Sequence, residues 1–492
     1  MTPEPQEVVE PPVQRRSYLR RIESSEMGSA PVLRTLITLG IPAATAGIMQ
    51  TSFEFVDTLF VSRLGKEAVS GVSLVGPLMF LMFAITTAVN VGVSALVARR
   101  LGERKLEQAR RVLSWGLVVS AIVGCLLTVL SLLFLDRLLG LLGGNADIVP
   151  YARQFGQIML LGMLPMHLGT TADSALRAQG DTVTPMKVSL WANVVNAALN
   201  WYFIFGLGLG VQGSALGTFC TRTLVSLILL SRLWARSTEV RPVFPYISSF
   251  RDGLRTIGEI YWIGLPASVG MAAMAGSMWP INRLLVDMNP YAVGVLGIGI
   301  RVESLAMVPV FGLFSAVVPM MAYNYGARSI ARCREVMWTS AWLSAAVMGT
   351  GGLAIFAFPA EFFGLFVNDP EMLPMGVEYL RALTPVYPLV AASIMVSAGF
   401  QGIGKTWAAM VLHLWRNVII KLPLAYWFAA LWGVSGVWWS FPASSLASAG
   451  FSFIWMYLEL RRLDLQFAQV PEQETPAETA VAPMEAEAPT EV

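Results

Sequence analysis

The sequence predicts an all-α integral membrane protein, with twelve transmembrane helices in two six-helix lobes that repeat one another. Three observations carry this reading. Charged residues are 13% of the 492 positions and hydrophobic residues 55%, whereas a soluble domain carries about 25% charged residues. Apolar runs long enough for the ~30 Å hydrocarbon layer, which takes about 20 helical residues, recur along the chain. Landmarks of the first half also return 224 positions later in the second.

The apolar runs fall at 35–61, 69–97, 112–135, 155–177, 186–206 and 211–234, then at 258–285, 292–321, 335–359, 376–402, 407–430 and 433–459. Basic residues sort between them. The segment Ala98–Arg111 holds six Lys and Arg, the stretch from Arg232 to Arg255 holds five, and Arg15, Arg16, Arg20 and Arg21 crowd the N-terminal segment. The alternate loops are poor in them, and GLGLGVQG has none. The excess of positive charge on cytoplasmic loops then places both termini in the cytoplasm. The expected setting is a bacterial inner membrane.

The repeat shows in matched residues. Gly40-Ile-Pro42 returns as Gly264-Leu-Pro266, Gly102 as Gly326, Pro150 as Pro374, Trp191 as Trp415 and Asn193 as Asn417, all 224 apart; Gly210 returns as Gly433, 223 apart. Six spans per half is an even number, so both halves enter from the same side. They form a parallel repeat about an axis along the membrane normal, as in many transporters. The expected division is a disordered cytoplasmic tail at 1–30, an N-terminal lobe at 31–235, a cytoplasmic linker at 236–257, a C-terminal lobe at 258–462 and a disordered acidic tail at 463–492.

Several function classes drop out. A net charge of +2 does not point to nucleic acid. Cys125, Cys220 and Cys333 are odd in number and lie in apolar runs, and with two histidines, His167 and His413, they supply neither a disulfide framework nor zinc spacing. No GxxxxGK[ST] phosphate loop is present, so direct ATP drive has no support. No cofactor is expected. The loops are short and hold no acidic cluster of the kind a membrane-embedded phosphotransferase would use, and nothing repeats as a charged ring or filter of a channel.

Polar residues inside spans are costly and mark function. In the first span Gln50, Glu54 and Asp57 are spaced by four and three and share one helical face. Two acids this close and this deep favour holding a proton or a cation, and Asp57 is the leading candidate. The fifth span carries Asn193, Asn196 and Asn200 as one stripe, with Asn196 and Asn200 at the depth of Asp57. Their amides either coordinate a hard cation such as Na+ or act as helix-to-helix glue. Asp173 and Arg177 in the fourth span are four apart, which an ion pair explains without function, a relay being the alternative. His167, two residues after Pro165, reads as a structural histidine.

The second half holds Arg283, Arg301, Glu303, Arg416 and Lys421 in or near spans, with Glu303 available to neutralise one cation. These form either a structural ion-pair network or a basic cavity wall that suits an anionic cargo. Met274 and Met278 are candidate lining residues of an adaptable cavity, core packing being the commoner role. Pro42 and Pro266 are matched hinge candidates.

The stretches GIPAATAGIMQTSFEFVDTLFVSRLG, VSALVARRLGERKLEQARR, ALRAQGDTVTPM and NVVNAALNWYFIFG resemble the multidrug and toxic compound extrusion (MATE) family, as do GLPASVG, GIGIRVESLAMVP and PMMAYNYGARSIARCREV in the second half. The resemblance covers about residues 30 to 460. It implies a V-shaped molecule with a central cavity between the lobes. It also implies a proton- or sodium-coupled antiporter that exports organic, often cationic or amphiphilic, compounds, with a small molecule and membrane lipid as partners. A monomer is the expected unit. Met274 and Val390 stand where the sodium-coupled branch places acids. Their apolar nature favours the DinF-like branch, where coupling belongs to the N-terminal lobe. Asn200 stands where that branch often has aspartate, and Glu54 where the family is more usually neutral. A lipid-linked precursor flippase of the same superfamily is the alternative reading.

Overall fold

The computed structural model describes residues 20–142, 147–243, 250–367 and 369–468. Their regular structure is helical throughout, and it runs as twelve rods. Span 1 is Val32–Ser62, span 2 Lys66–Gly102, span 3 Leu106–Leu133, span 4 the stacked Val149–Leu161 and Met163–Ala178, span 5 Val183–Trp201 ending in a π turn at Tyr202–Gly206, and span 6 Gly210–Leu233. Span 7 is Phe250–Gly276 with Met278–Met288, span 8 Pro290–Gly326, span 9 Ile330–Ala357, and span 10 Met372–Leu383 with Tyr387–Gly402. Span 11 is Thr406–Leu414 with Lys421–Trp432 around a π segment Trp415–Ile420, and span 12 is Val434–Ala468.

Eight of these rods are by themselves long and apolar enough to cross a bilayer, while spans 4, 5, 7 and 12 join them through the repeat and by packing. Large apolar side chains such as Trp262, Trp279 and Trp342 are about three-quarters exposed, the outer coat of a protein solvated by lipid. Helices overrun the apolar runs at their Arg-rich ends: span 2 continues to Gly102 although its apolar run stops near residue 97. Hydropathy sees only the lipid-facing stretch, whereas the backbone ladder continues into water as long as its residues tolerate helix.

The repeat is kept in the backbone. Spans 2 and 3, Lys66–Gly102 and Leu106–Leu133, become Pro290–Gly326 and Ile330–Ala357 on adding 224 to every end. Arg104 and Arg328 sit in the same left-handed conformation at φ 58° and 57°, and Gly180 and Gly404 turn at φ 86° and 80°. The lobes meet in the same symmetric way at the Arg-rich end. A Cβ on Gly102 would overlap the Tyr323 carbonyl oxygen, and one on Gly326 would overlap the carbonyl oxygen of Arg99, the repeat mate of Tyr323. Spans 2 and 8 thus cross backbone to backbone through two glycines that exchange roles. Further along, Gly264 of span 7 abuts Ala88 of span 2, and Gly312 of span 8 abuts Gly40 and Ala44 of span 1. Polar bonds lock this end: Arg100 donates to Glu103 Oε2 at 2.9 Å and to Glu259 Oε2 of the other lobe at 3.1 Å. The Arg99 guanidinium lies 4.9 Å from the Tyr325 ring centre. Burial pushes the Glu103 carboxyl up, but hydrogen bonds from Arg100 and Lys105 and the charges of Arg100 and Arg99 outweigh it and hold it below the ordinary glutamate value. Toward the opposite end span 1 exposes Glu54, Phe55, Thr58 and Leu59, and span 7 exposes Met274. This is the V-shaped arrangement expected from the family resemblance.

Three expected boundaries shift. Residues 20–30 are packed rather than disordered: Ile22 and Met27 are fully buried, Glu26–Ser29 is helical, and Arg20 pairs with Glu26. The reason is anchorage. Met27 O accepts from Asn324 Nδ2 of the C-terminal lobe at 3.0 Å, and Ile22 N donates to Gly180 O of the N-terminal lobe at 3.4 Å. Residues 463–468 extend span 12, with Leu463 buried and Asp464 paired to Arg334, instead of opening the C-terminal tail. Within the expected linker, Val240 is buried and its N–H donates to Gln179 Oε1 at 2.7 Å, and helix resumes at Phe250. The remaining tail residues, 1–19 and 469–492, lie outside the described residues, as does 244–249 of the linker.

Pro42 and Pro266 both lie inside unbroken helices. Helix interruptions occur elsewhere: at Gly162 in span 4, at Ser277 in span 7, and at a 3₁₀ turn Thr384–Val386 in span 10 where Pro385 and Pro388 remove backbone donors.

Candidate functional site

The first-span acid and the fifth-span amides come together, joined by a third helix. Asp57 Oδ1 accepts from Asn200 Nδ2 at 2.9 Å and from Ser214 Oγ of span 6 at 2.8 Å. Asn200 Nδ2 also donates to Asn196 Oδ1 at 3.2 Å, and both amides are fully buried. Local structure sets this up. Asn196 and Asn200 are one turn apart on span 5, and Asn200 stands two residues before the π turn Tyr202–Gly206, a distortion often found at functional sites. Gly217 of span 6 lets the amide approach, because a Cβ there would overlap Asn200 Oδ1.

Several polar atoms around this carboxylate are left over. Asn200 Oδ1, Asn196 Nδ2 and Thr218 Oγ1 are buried with no hydrogen-bond partner among the described residues. Thr218 stands beside Asp57 without meeting hydrogen-bond geometry. Half-buried Arg222 lies within electrostatic reach of both Asp57 and Glu54, and its Nη1 contacts Met166 Sδ at 3.4 Å. Carboxylate, amide and hydroxyl oxygens are the donor set for a hard cation, and the same group can stabilise a protonated Asp57 by hydrogen bonding.

Ser214, Thr218 and Arg222 escaped the sequence reading. Their signal was present, since GSALGTFCTR spaces them by four along one helical face. Hydroxyls in a helix are common enough that spacing alone does not mark them.

The other first-half candidates separate from this group. Glu54 is exposed and takes a hydrogen bond from Gln50 Nε2 at 3.2 Å, so both face the open side next to the buried cluster. Asn193 turns away and donates to Ser189 O of its own helix at 2.9 Å. Asp173 forms the expected ion pair, receiving Arg177 Nε at 2.9 and 3.0 Å. His167 is buried with its ring nitrogens 3.0 and 3.1 Å from Thr86 Oγ1, a tie between spans 4 and 2.

The C-terminal lobe has its own polar cluster. Lys421 is buried, with Nζ 3.1 Å from Asn417 Oδ1 and 5.0 Å from the Phe441 ring centre. Glu303 lies within electrostatic reach of Arg416 and Lys421, yet none of the three forms a direct ion pair among the described residues. The expected neutralisation of one cation by Glu303 is therefore through space and not by contact. Arg301 is exposed and outside the cluster, Arg283 pairs with Asp287 at 3.8 Å on the surface, and Met278 is half-buried.

A helical membrane protein of two matched lobes, closed at one end and holding a half-buried carboxylate among buried polar groups in one lobe, has the build of a transporter. The family model MatE matches residues 42–202 and again 266–427, one match per lobe. The chain belongs to this family, the MATE transporters. It is 27% identical over 429 residues to a FAD transporter of Shewanella oneidensis, an alignment covering 85% of this chain and 93% of the relative. It is 26% identical over 434 residues to a probable multidrug resistance protein NorM of Thermotoga maritima, covering 86% and 90%. A crystal structure of MATE in the bent conformation superposes with a TM-score of 0.86 at 25% identity, covering 91% of this chain and 100% of that one. The chain is thus a multi-pass membrane transporter of small molecules and not an enzyme.

Proposed function

We propose that this transporter is an ion-coupled antiporter in which Asp57 receives H+ or Na+ and drives export of an organic solute. The single observation that carries the reading is the Asp57–Asn200–Ser214 group, a half-buried acid held by fully buried donors beside unpartnered oxygens. The basic end faces the cytoplasm under the positive-inside rule, so the sealed end is cytoplasmic and the Asp57 end opens outward. An ion arriving from outside changes the charge and hydrogen bonding that tie span 1 to spans 5 and 6. Coupling requires the ion to bind one facing state better than the other; equal affinity would shift nothing. Exposed Glu54 and Gln50 stand at the mouth of the site. Placement of the acid in the N-terminal lobe, with Met274 and Val390 apolar, fits the DinF-like pattern.

The cargo is an amphiphilic organic molecule. Kinship to a protein named a FAD transporter widens the range from cations to acids. The test is transport by purified protein in liposomes with pH and sodium gradients imposed separately. One gradient is expected to drive efflux in the wild type and to lose its effect in Asp57→Asn. Gradient-driven efflux unchanged in Asp57→Asn would overturn the reading.

A further inference from the structure

The coupling scheme proposed above does not use the C-terminal cluster, whose chemistry is the reverse of the Asp57 group. Two cations, Arg416 and Lys421, face one acid, Glu303, and that acid is the one carboxylate within their electrostatic reach among the described residues. Lys421 is only 4% exposed, and its ammonium meets one amide oxygen and one aromatic face. Around it the surplus is of donors. Tyr379 Oη, Tyr387 Oη and Trp438 Nε1 all belong to side chains at least 99% buried, and none has a hydrogen-bond partner among the described residues.

These groups are contiguous. Trp438 meets the Tyr379 ring edge-on at 5.1 Å, Tyr379 meets Phe441 at 6.2 Å, and Phe441 carries the Lys421 ammonium. Tyr379 and Tyr387 both lie within electrostatic reach of Glu303. Arg416 and Asn417 project from the π segment Trp415–Ile420, where the helix is locally widened. A buried ammonium without a paired acid and buried donors without acceptors are each costly. An incoming group with several acceptor oxygens and negative charge relieves both.

We propose that this cluster binds an anionic group, a phosphate or carboxylate, at one end of an aromatic cargo, with Arg416 and Lys421 as its charge partners and the Tyr379 and Tyr387 hydroxyls as donors. The half-buried Phe441 ring beside the Lys421 ammonium suits a ring system next to that anion. The proposal rests on the transporter reading above but not on which ion drives it. The same phosphate chemistry could come from a lipid headgroup, and the test separates the two.

Binding is measured on purified protein in detergent without any ion gradient, so it succeeds or fails independently of coupling. The probes are riboflavin and riboflavin 5′-phosphate, which differ by one phosphate. Saturable binding of the phosphate form, at least ten-fold tighter than riboflavin, is expected in the wild type. Lys421→Gln should abolish that preference, and Lys421→Arg should restore most of it. The conservative variant keeps the test meaningful should Lys421→Gln lose its fold. Equal binding of both probes, no saturable binding of the phosphate form, or an undiminished preference in folded Lys421→Gln overturns the proposal. So does binding of phosphatidylglycerol, presented in mixed detergent micelles, in place of riboflavin 5′-phosphate, which would assign the cluster to lipid.

Discussion

The two lobes share a frame and differ in what they hold. Helix ends, left-handed turns and crossing glycines repeat at an offset of 224. The interiors do not. Asp57 and Asn200 map to Ile281 and Leu424, and Ser214, Thr218 and Arg222 map at the 223 offset to Val437, Phe441 and Ser445. In the other direction Glu303, Arg416 and Lys421 map to Met79, Ala192 and Ala197. Apart from Arg222, which maps to Ser445, each of these polar residues stands opposite an apolar one. The one matched amide pair, Asn193 and Asn417, does the same structural work in both: each donates to the carbonyl four residues back, Ser189 at 2.9 Å and His413 at 3.0 Å. Backbone geometry is what the repeat preserves, because packing depends on it in both copies, while the polar interiors differ.

The sharpest way to break this comparison is Asp57→Asn, which is expected to reduce gradient-driven efflux to the level of protein-free liposomes. If Lys421→Gln had the same effect on ion dependence, the division of labour between lobes would fail. Next in size are Gly102→Ala and Gly326→Ala. Each forces a methyl against the other lobe's backbone at the sealed end and should cost about 1–3 kcal/mol, seen as a lower thermal midpoint in detergent. The two costs should be alike, and a strong effect at one site with none at the other would contradict the symmetric crossing.

Gly217→Ala displaces Asn200 and should both destabilise by about 1–2 kcal/mol and weaken ion dependence. Its repeat mate already carries a side chain, Ser440, so Ser440→Ala is expected to change neither. Asn193→Ala should cost about 1 kcal/mol or less with transport retained, while Asn200→Ala loses ion dependence; equal effects in the efflux assay would return the asparagine stripe to a purely structural role.

The smallest effect belongs to the shared sealed end. Glu103 is held below the ordinary glutamate value when folded, so the folded protein binds fewer protons there than the unfolded chain. Its contribution is full above the ordinary value of about 4.3 and is lost as pH falls through the lower folded value. The stability difference between wild type and Glu103→Gln, followed through the thermal midpoint, should be about 0.5 kcal/mol or less at neutral pH and should vanish in strong acid.

Composition, the spacing of apolar runs and the 224-residue offset determined the helical membrane fold and its two lobes, because lipid admits few alternatives to a satisfied helical backbone. The meeting of Asp57 with Asn200, and through it with Asn196, was also legible, since helix spacing and span direction fix both face and depth. Only the tertiary structure decided the rest. It brought Ser214, Thr218 and Arg222 of span 6 to the carboxylate and turned Asn193 aside. It also anchored Ile22 and Met27 between the lobes, which a polar, charged segment does not announce. It left Glu303 near Arg416 and Lys421 without touching them. The physical reason is the same in each case. Sequence periodicity places a side chain on a face of its own helix, but which neighbour that face meets depends on how the helices cross, and here the crossings are set by glycines far from the site.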